Sequence, residues 1–329
     1  MSVKIGIPKT LSYYVYYPLW KKFFTELGAE VVVSDNTSRP IIDAGVKETV
    51  NDACVPIKLF HGHSLDLKDK ADYFFIPRLV SVDGEHIYCP KFLGLPDMVK
   101  NTLKDLPEIL APRIDLRKGK LELIKVVYKI GSVLTKNPLK IYSAFKKAKA
   151  YFKRFNSLLS EGHTAVEAID VLEGNEERKD FDSQEQERDL KIAVLGYPYI
   201  IYDPYVSVNM IQKLRDLNVE VVTADMLTDE ELTAQSHKLF KEPFWTFSDQ
   251  VVKAGYHYYQ EGEIDGLIHV TAFGCGPDFM VGKLLNLGAE VEDDISFITL
   301  TIDEHTGEAG IVTRLEAFID MLRLRRKRA

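Results

Sequence analysis

One strand–helix–strand pattern occurs twice in this sequence, and a chain that repeats such a pattern has few folds open to it. The first copy opens with Lys4-Ile5-Gly6-Ile7-Pro8, passes a tyrosine-rich stretch and a helix to about Leu27, and reaches Glu30-Val31-Val32-Val33. The second opens with Lys191-Ile192-Ala193-Val194-Leu195, passes another tyrosine-rich stretch and a helix to about Leu217, and reaches Glu220-Val221-Val222. Asp72-Tyr73-Phe74-Phe75-Ile76 then matches Asp265-Gly266-Leu267-Ile268-His269, each read as a buried strand leading into a cysteine-bearing loop. Ile109 to Asp115 resembles Phe297 to Asp303 in turn. Short β-branched runs alternating with amphipathic helices predict a parallel sheet wrapped by helices. The expected class is therefore α/β, with two duplicated Rossmann- or flavodoxin-like lobes of four or five strands.

The expected boundaries are 1–116 for the first lobe, 117–189 for a helical insert and linker, and 190–329 for the second lobe with a terminal helix. The insert has few strand signals and many Lys, Glu, Leu and Ala residues. Its end, Glu173 to Arg188, is polar enough that disorder is expected there.

A chain of 329 residues with 46% hydrophobic and 28% charged content can bury a core without covalent staples. Its three cysteines are odd in number and widely spaced, which argues against a disulfide framework and for a reducing, cytoplasmic setting. Met1 to Lys9 reads as a strand rather than a targeting signal. No apolar run approaches the ~20 residues that span a bilayer, so no membrane partner is expected. A net charge of −7 gives no general reason to expect nucleic acid. Basic residues are nevertheless concentrated between Arg113 and Arg154. That stretch could meet the phosphates of coenzyme A or an acidic electron donor; a solvated helical face is its default reading. The basic run Arg323 to Arg328 extends a helix C-terminus, where cations suit the dipole.

Ligands of open parallel sheets collect beyond the carboxyl ends of the strands. Cys89 and Cys275 are each expected after the fourth strand of a lobe, and Cys54 just ahead of a helix whose start is marked by Pro56. Proline follows every cysteine within two residues, stiffening the loop that would present the thiolate. A thiolate at a helix start is favoured by the dipole, which suits it to metal binding. The second lobe has no counterpart of Cys54; the equivalent position falls near Phe247. Two facing lobes would then contribute two cysteines and one cysteine to a single cleft. The competing readings are inert buried cysteines and a Cys₃His zinc site, since no C-x-x-C pattern is present.

Asp303 to Glu308 follows the last strand of the second lobe, so Glu304, His305 and Glu308 are the candidate catalytic groups, able to position a substrate or relay protons. The alternative is a plain helix start, its acids favouring the dipole and Thr306 capping. Arg314 either pairs with an acid at the cleft or lies on the helix surface. His61 and His63 face different directions on a helix and cannot easily share a metal; one is expected buried and the other near the cleft. The tyrosines Tyr13, Tyr14, Tyr16, Tyr17, Tyr197, Tyr199, Tyr202 and Tyr205 either shield a cofactor or pack beneath a loop.

The segments Asp52 to Lys58, His61-Gly62-His63, Tyr88 to Asp97, Phe273 to Asp278 and Thr301 to Leu322 closely resemble the 2-hydroxyacyl-CoA dehydratase family. Within it they resemble the branch of CoA-substrate-specific enzyme activase-related proteins, relatives of the double-cubane cluster proteins. The resemblance implies a [4Fe–4S] cluster held by Cys54, Cys89 and Cys275, oxygen-sensitive, with its fourth iron position open or bridged. It implies a dehydratase (a lyase) or low-potential reductase subunit acting on an acyl-CoA substrate. Its partners would be a separate ATP-hydrolysing activase and either a second cluster-bearing subunit or a homodimer mate. Two departures matter. Double-cubane relatives use six cysteines, twice the number in this chain. No G-x-x-x-x-G-K-[ST] loop and no actin-like phosphate loop is recognisable, so ATP-driven electron injection would come from another polypeptide. The alternatives are a non-catalytic electron-storage or transfer protein and a zinc or purely structural α/β protein.

Overall fold

The computed structural model describes residues 2–119, 121–175, 188–236, 239, 242–260, 264–291 and 295–328. Most of the expected polar linker lies outside these residues. The chain divides into two units, Met1–Ser157 with Phe244–Thr246, and Leu158–Pro243 with Phe247–Ala329.

The first unit runs β1 (Lys4–Ile7), α1 (Tyr13–Glu26), β2 (Glu30–Val33), α2 (Arg39–Glu48), α3 (Val55–Leu67), β3 (Tyr73–Phe75), β4 (Arg78–Ser81), α4 (Pro90–Thr102), β5 (Glu108–Leu110), β6 (Arg113–Asp115), α5 (Leu121–Leu134) and most of α6 (Pro138–Ser160). The second runs α7 (Ala165–Glu173), β7 (Leu190–Gly196), α8 (Pro198–Ile201), α9 (Met210–Asp216), β8 (Val219–Val222), α10 (Asp229–Ala234), α11 (Thr246–Gln260), β9 (Gly266–Ala272), α12 (Gly276–Val291), β10 (Ser296–Ile302) and α13 (Glu308–Arg326). The expected helical segment is therefore shared, with α5 in the first unit and α7 in the second.

Each unit contains a four-stranded parallel sheet, in the orders β2-β1-β3-β5 and β8-β7-β9-β10. Taken in chain order within each lobe, both sheets read 2-1-3-4, the start of the flavodoxin-like order. The duplication extends to the register. Ile5 lies between Val31 and Tyr73, and Ile192 between Val221 and Gly266. Asp72 accepts the Lys4 N–H at 2.7 Å and Asp265 accepts the Lys191 N–H at 2.8 Å. The return bonds, from the Asp72 and Asp265 N–H groups to the Lys4 and Lys191 carbonyls, measure 2.9 and 2.8 Å.

The copies differ where prolines interrupt the first. β9 and β10 are each seven residues long and pair throughout. Their counterparts are broken at Pro77 and Pro112, residues without an N–H to give the ladder. β3 and β5 stop before the break, and β4 and β6 resume beyond it as a separate two-stranded sheet. One expectation is corrected here. Cys275 follows the third strand of its lobe's sheet, whereas Cys89 follows β4, the fourth strand of its lobe in chain order, as expected. Between the second and third strands of each sheet the chain forms helices, α2 and α3 in one lobe and α10 and α11 in the other.

Hydrophobic burial holds each lobe. Trp20 and Phe24 on α1 pack on Phe75 with ring centroids 4.8 and 5.1 Å apart. In the second lobe Ile192, Ala193, Val194 and Leu195 of β7 are fully buried, as expected of a strand covered on both faces. α2 crosses α3 so closely that a Cβ at Gly45 would strike the Lys58 carbonyl and one at Gly62 the Ile41 carbonyl. This crossing accounts for the glycine between His61 and His63.

Candidate functional site

The three cysteines occupy one kind of position. Cys54 is the N-cap of α3, at φ −66° and ψ 151°, and its carbonyl accepts the N–H groups of Ile57 and Lys58 at 2.9 and 3.3 Å. Cys89 is the N-cap of α4, at φ −59° and ψ 155°, and its carbonyl accepts from Phe92 and Leu93 at 3.0 and 3.3 Å. Cys275 immediately precedes α12, and its carbonyl accepts the Phe279 N–H at 3.1 Å. Proline occupies the first or second helical position after each one, where its missing N–H costs nothing. The turn into Cys275 passes through Gly274 at φ +76°, a conformation that side chains with a Cβ rarely adopt.

All three residues carry thiols rather than disulfides, with Cys54 buried and the other two half-buried. Burial pushes the Cys89 thiol above its ordinary range. The N–H groups of Phe92 and Lys91 at the head of α4 pull it back, while the nearby Cys54 thiol adds to the rise. Cys54 and Cys89 thus sense one another within the first unit; Cys275 belongs to the second.

Tyr88 precedes Cys89 in the chain, and its hydroxyl meets that of Tyr16 at 2.5 Å. Burial raises Tyr16 to about 12 and Tyr88 well above its ordinary value. Tyr13, Tyr14 and Tyr17 are core residues. In the second lobe Tyr197 and Tyr199 flank Phe247 at 5.7 and 5.8 Å. Phe247 is the second residue of α11, whereas Cys54 stands just ahead of α3.

Both histidines of α3 are fully buried. Their separation across the helix sends them to different neighbours. His63 lies between Ser34 Oγ at 2.8 Å and Thr37 Oγ1 at 2.9 Å, and burial lowers it to about 4. His61 donates from Nδ1 to the Ile57 carbonyl at 2.8 Å, and burial lowers it as well. Its Nε2 has no partner among the described residues.

Asp303 to Thr306 forms a closed turn. Asp303 accepts the His305 N–H at 2.8 Å, while Thr306 Oγ1 accepts the Asp303 N–H at 2.7 Å. Gly307, not Thr306, is the N-cap of α13, because the Thr306 hydroxyl is committed to Asp303. Glu304 is half-buried and His305 exposed. Glu308 stands in the first turn of α13 and pairs with Lys213 at 2.9 Å. Arg314 is exposed. Arg323 binds Asp189 at 2.7 Å and the Leu217 carbonyl at 2.6 Å, a structural use of the basic C-terminal run.

The motif around Cys275 contains a pair that sequence reasoning did not join. His269 on β9 meets Asp278 in the first turn of α12 at 3.2 Å, and both side chains are fully buried. A histidine inside a strand this apolar was the available signal, because buried polar groups need partners.

Two parallel-sheet lobes of one topology, with a thiol set at each of three helix starts, define a duplicated α/β protein. Over residues 4–227 the chain matches the family described as CoA enzyme activase uncharacterised domain, and it belongs to that family. No curated protein matches the chain. Among the described residues no helix is long and apolar enough to cross a membrane.

Proposed function

We propose that Cys54, Cys89 and Cys275 together hold a [4Fe–4S] cluster, in a protein that works beside a separate ATP-hydrolysing activase on acyl-CoA thioesters. The observation that supports this is the shared setting of the three thiols, each at a proline-stiffened helix start. Family membership supports the CoA-linked context. The donors fit the group: sulfur ligands suit iron–sulfur clusters, and a thiol held protonated by burial, as Cys89 is, becomes a ligand when a cation replaces its proton. When bound, such a cluster supplies low-potential one-electron chemistry and, with three cysteines, leaves one iron without a cysteine ligand.

The surrounding residues would have separate tasks. Tyr16 and Tyr88, protonated throughout the physiological range, would exclude water beside Cys89. Glu304, His305 and Glu308 would orient the substrate or carry a proton at the carboxyl edge of the second sheet. The exposed lysines Lys129, Lys136, Lys140, Lys146, Lys149 and Lys153 would face the CoA phosphates or an acidic donor protein. The burial of Cys54 favours a second reading, in which the cluster exchanges electrons without touching a substrate.

Protein prepared without oxygen should contain about four irons and four sulfides per chain, lose its visible absorbance in air, and give a paramagnetic signal on reduction. Cys54→Ala, Cys89→Ala and Cys275→Ala should each lose most of the iron, while Thr301→Ala keeps it. Full iron in a folded Cys54→Ala protein would remove Cys54 from the ligand set and bring His61 or a partner chain into consideration. Zinc without visible absorbance would replace the cluster reading altogether. A change in the reduced signal on adding acyl-CoA thioesters favours the enzyme; indifference to all of them favours the electron carrier.

A further inference from the structure

Helix α12 leaves an apolar stripe in water. Phe279 is 76% exposed, Met280 56%, Leu287 43% and Val291 78%, with Leu284 half-buried between them. Phe273, just ahead of the helix, is 66% exposed. Single exposed apolar residues need no explanation, but a periodic row of them does. Positions 280, 284, 287 and 291 are spaced four, three and four, the spacing of a helix that packs lengthwise against another helix. The other face of α12, with Asp278, Val281, Leu285 and Gly288, is already buried.

We propose that this face packs against a second copy of the chain, with the two α12 helices antiparallel about a two-fold axis. The charges choose the partner and its direction. Lys283 and Glu290 lie on the same flank of the stripe, each one position before a stripe residue. An axis passing between Leu284 and Leu287 sets Met280 against the partner subunit's Val291 and Leu284 against the partner subunit's Leu287. It also brings Lys283 within a turn of the partner subunit's Glu290, twice over by symmetry. Charges on such flanks fix the orientation of helix pairs, and a parallel pairing would leave both without an opposite charge.

The area is sufficient. Taking ~200 Å² for a whole large side chain, the exposed fractions of Phe273, Phe279, Met280, Leu287 and Val291 amount to roughly 640 Å² per copy. An isologous contact uses the patch twice. About 1,300 Å² in total clears the ~1,000 Å² expected of a biological interface and stands at its weaker end, so the dimer should be concentration-dependent. Antiparallel pairing leaves the two Cys275 residues at opposite ends of the contact, roughly 30 Å apart at 1.5 Å per helical residue. The proposal is thus independent of any cluster.

Sedimentation velocity of the full chain over a concentration series tests it. The wild type should pass from monomer to dimer as concentration rises. Leu287→Glu should raise the dissociation constant by about 30-fold or more, with unchanged circular dichroism showing that it folds. Lys283→Glu should weaken the dimer about threefold to tenfold, and adding Glu290→Lys should restore it. A wild type that stays monomeric, or a Leu287→Glu variant that dimerises as tightly as the wild type, would overturn the interface. Failure of the charge exchange to restore affinity would overturn the antiparallel arrangement. Iron content should be the same in all these variants, which separates this outcome from the fate of the cluster reading.

Discussion

His269 and Asp278 face each other at 3.2 Å in complete burial, joining the middle of β9 to the first turn of α12. The contact spans the loop that carries Cys275, so it holds the thiol-bearing turn between two fixed points. Among the described residues, His269 Nδ1 and Asp278 Oδ2 have no partner, and the pair therefore depends on its one shared bond.

Removing either member should leave the other buried and unsatisfied. His269→Ala and Asp278→Ala are each expected to cost about 1–3 kcal/mol, with Asp278→Asn milder because it keeps an oxygen acceptor. The double substitution should cost less than the sum of the two single ones. Urea denaturation midpoints check both points, and fully additive losses would show that the two residues act separately.

Gly62 makes a sharper case of packing. A methyl group there would meet the Ile41 carbonyl of α2, which is backbone and cannot rotate aside. Gly62→Ala should therefore destabilise the first unit by about 2–3 kcal/mol, although alanine is the better helix former. Gly94→Ala on α4, where a Cβ would approach only the flexible Met98 side chain at 3.9 Å, is the matched control. A thermal unfolding comparison should show a clear fall in midpoint for the first and little change for the second.

His63 sets a pH dependence. Burial depresses its folded pKa to about 4, against about 6.5 when exposed. Below pH 6.5 the unfolded chain takes up a proton that the folded chain refuses, so stability is complete above that point and falls as pH drops towards 4. The full effect is on the order of 3 kcal/mol. Urea unfolding between pH 7.5 and 4 should show this loss, and His63→Gln should flatten the slope. A residual slope is expected from His61, whose shift has the same direction.

Much of the fold was legible because parallel strands buried on both faces write themselves as short apolar runs. Ile5 and Ile192, or Asp72 and Asp265, could be matched by eye, and their ladders agree in register. The helix start at Cys54 was legible too, since Pro56 announces it. The assignment of Cys275 to a fourth strand was not sound, because the chain between β8 and β9 forms helices α10 and α11 and supplies no strand to the sheet. The spacing of His61 and His63 showed that they face different ways, not what covers each face.

By itself, then, the sequence determined the doubled α/β plan and the proline that follows each cysteine, both of which depend on neighbours close in the chain. Only the tertiary structure decided that Pro77 and Pro112 break adjacent strands and create a second small sheet, that Phe247 lies between two tyrosines, that α2 touches α3 through backbone at Gly45 and Gly62, and that His269 finds Asp278. Each of these is a contact between elements. Which side chains meet there is settled by how helices seat on sheets and on one another, a close-packing condition that no local pattern contains.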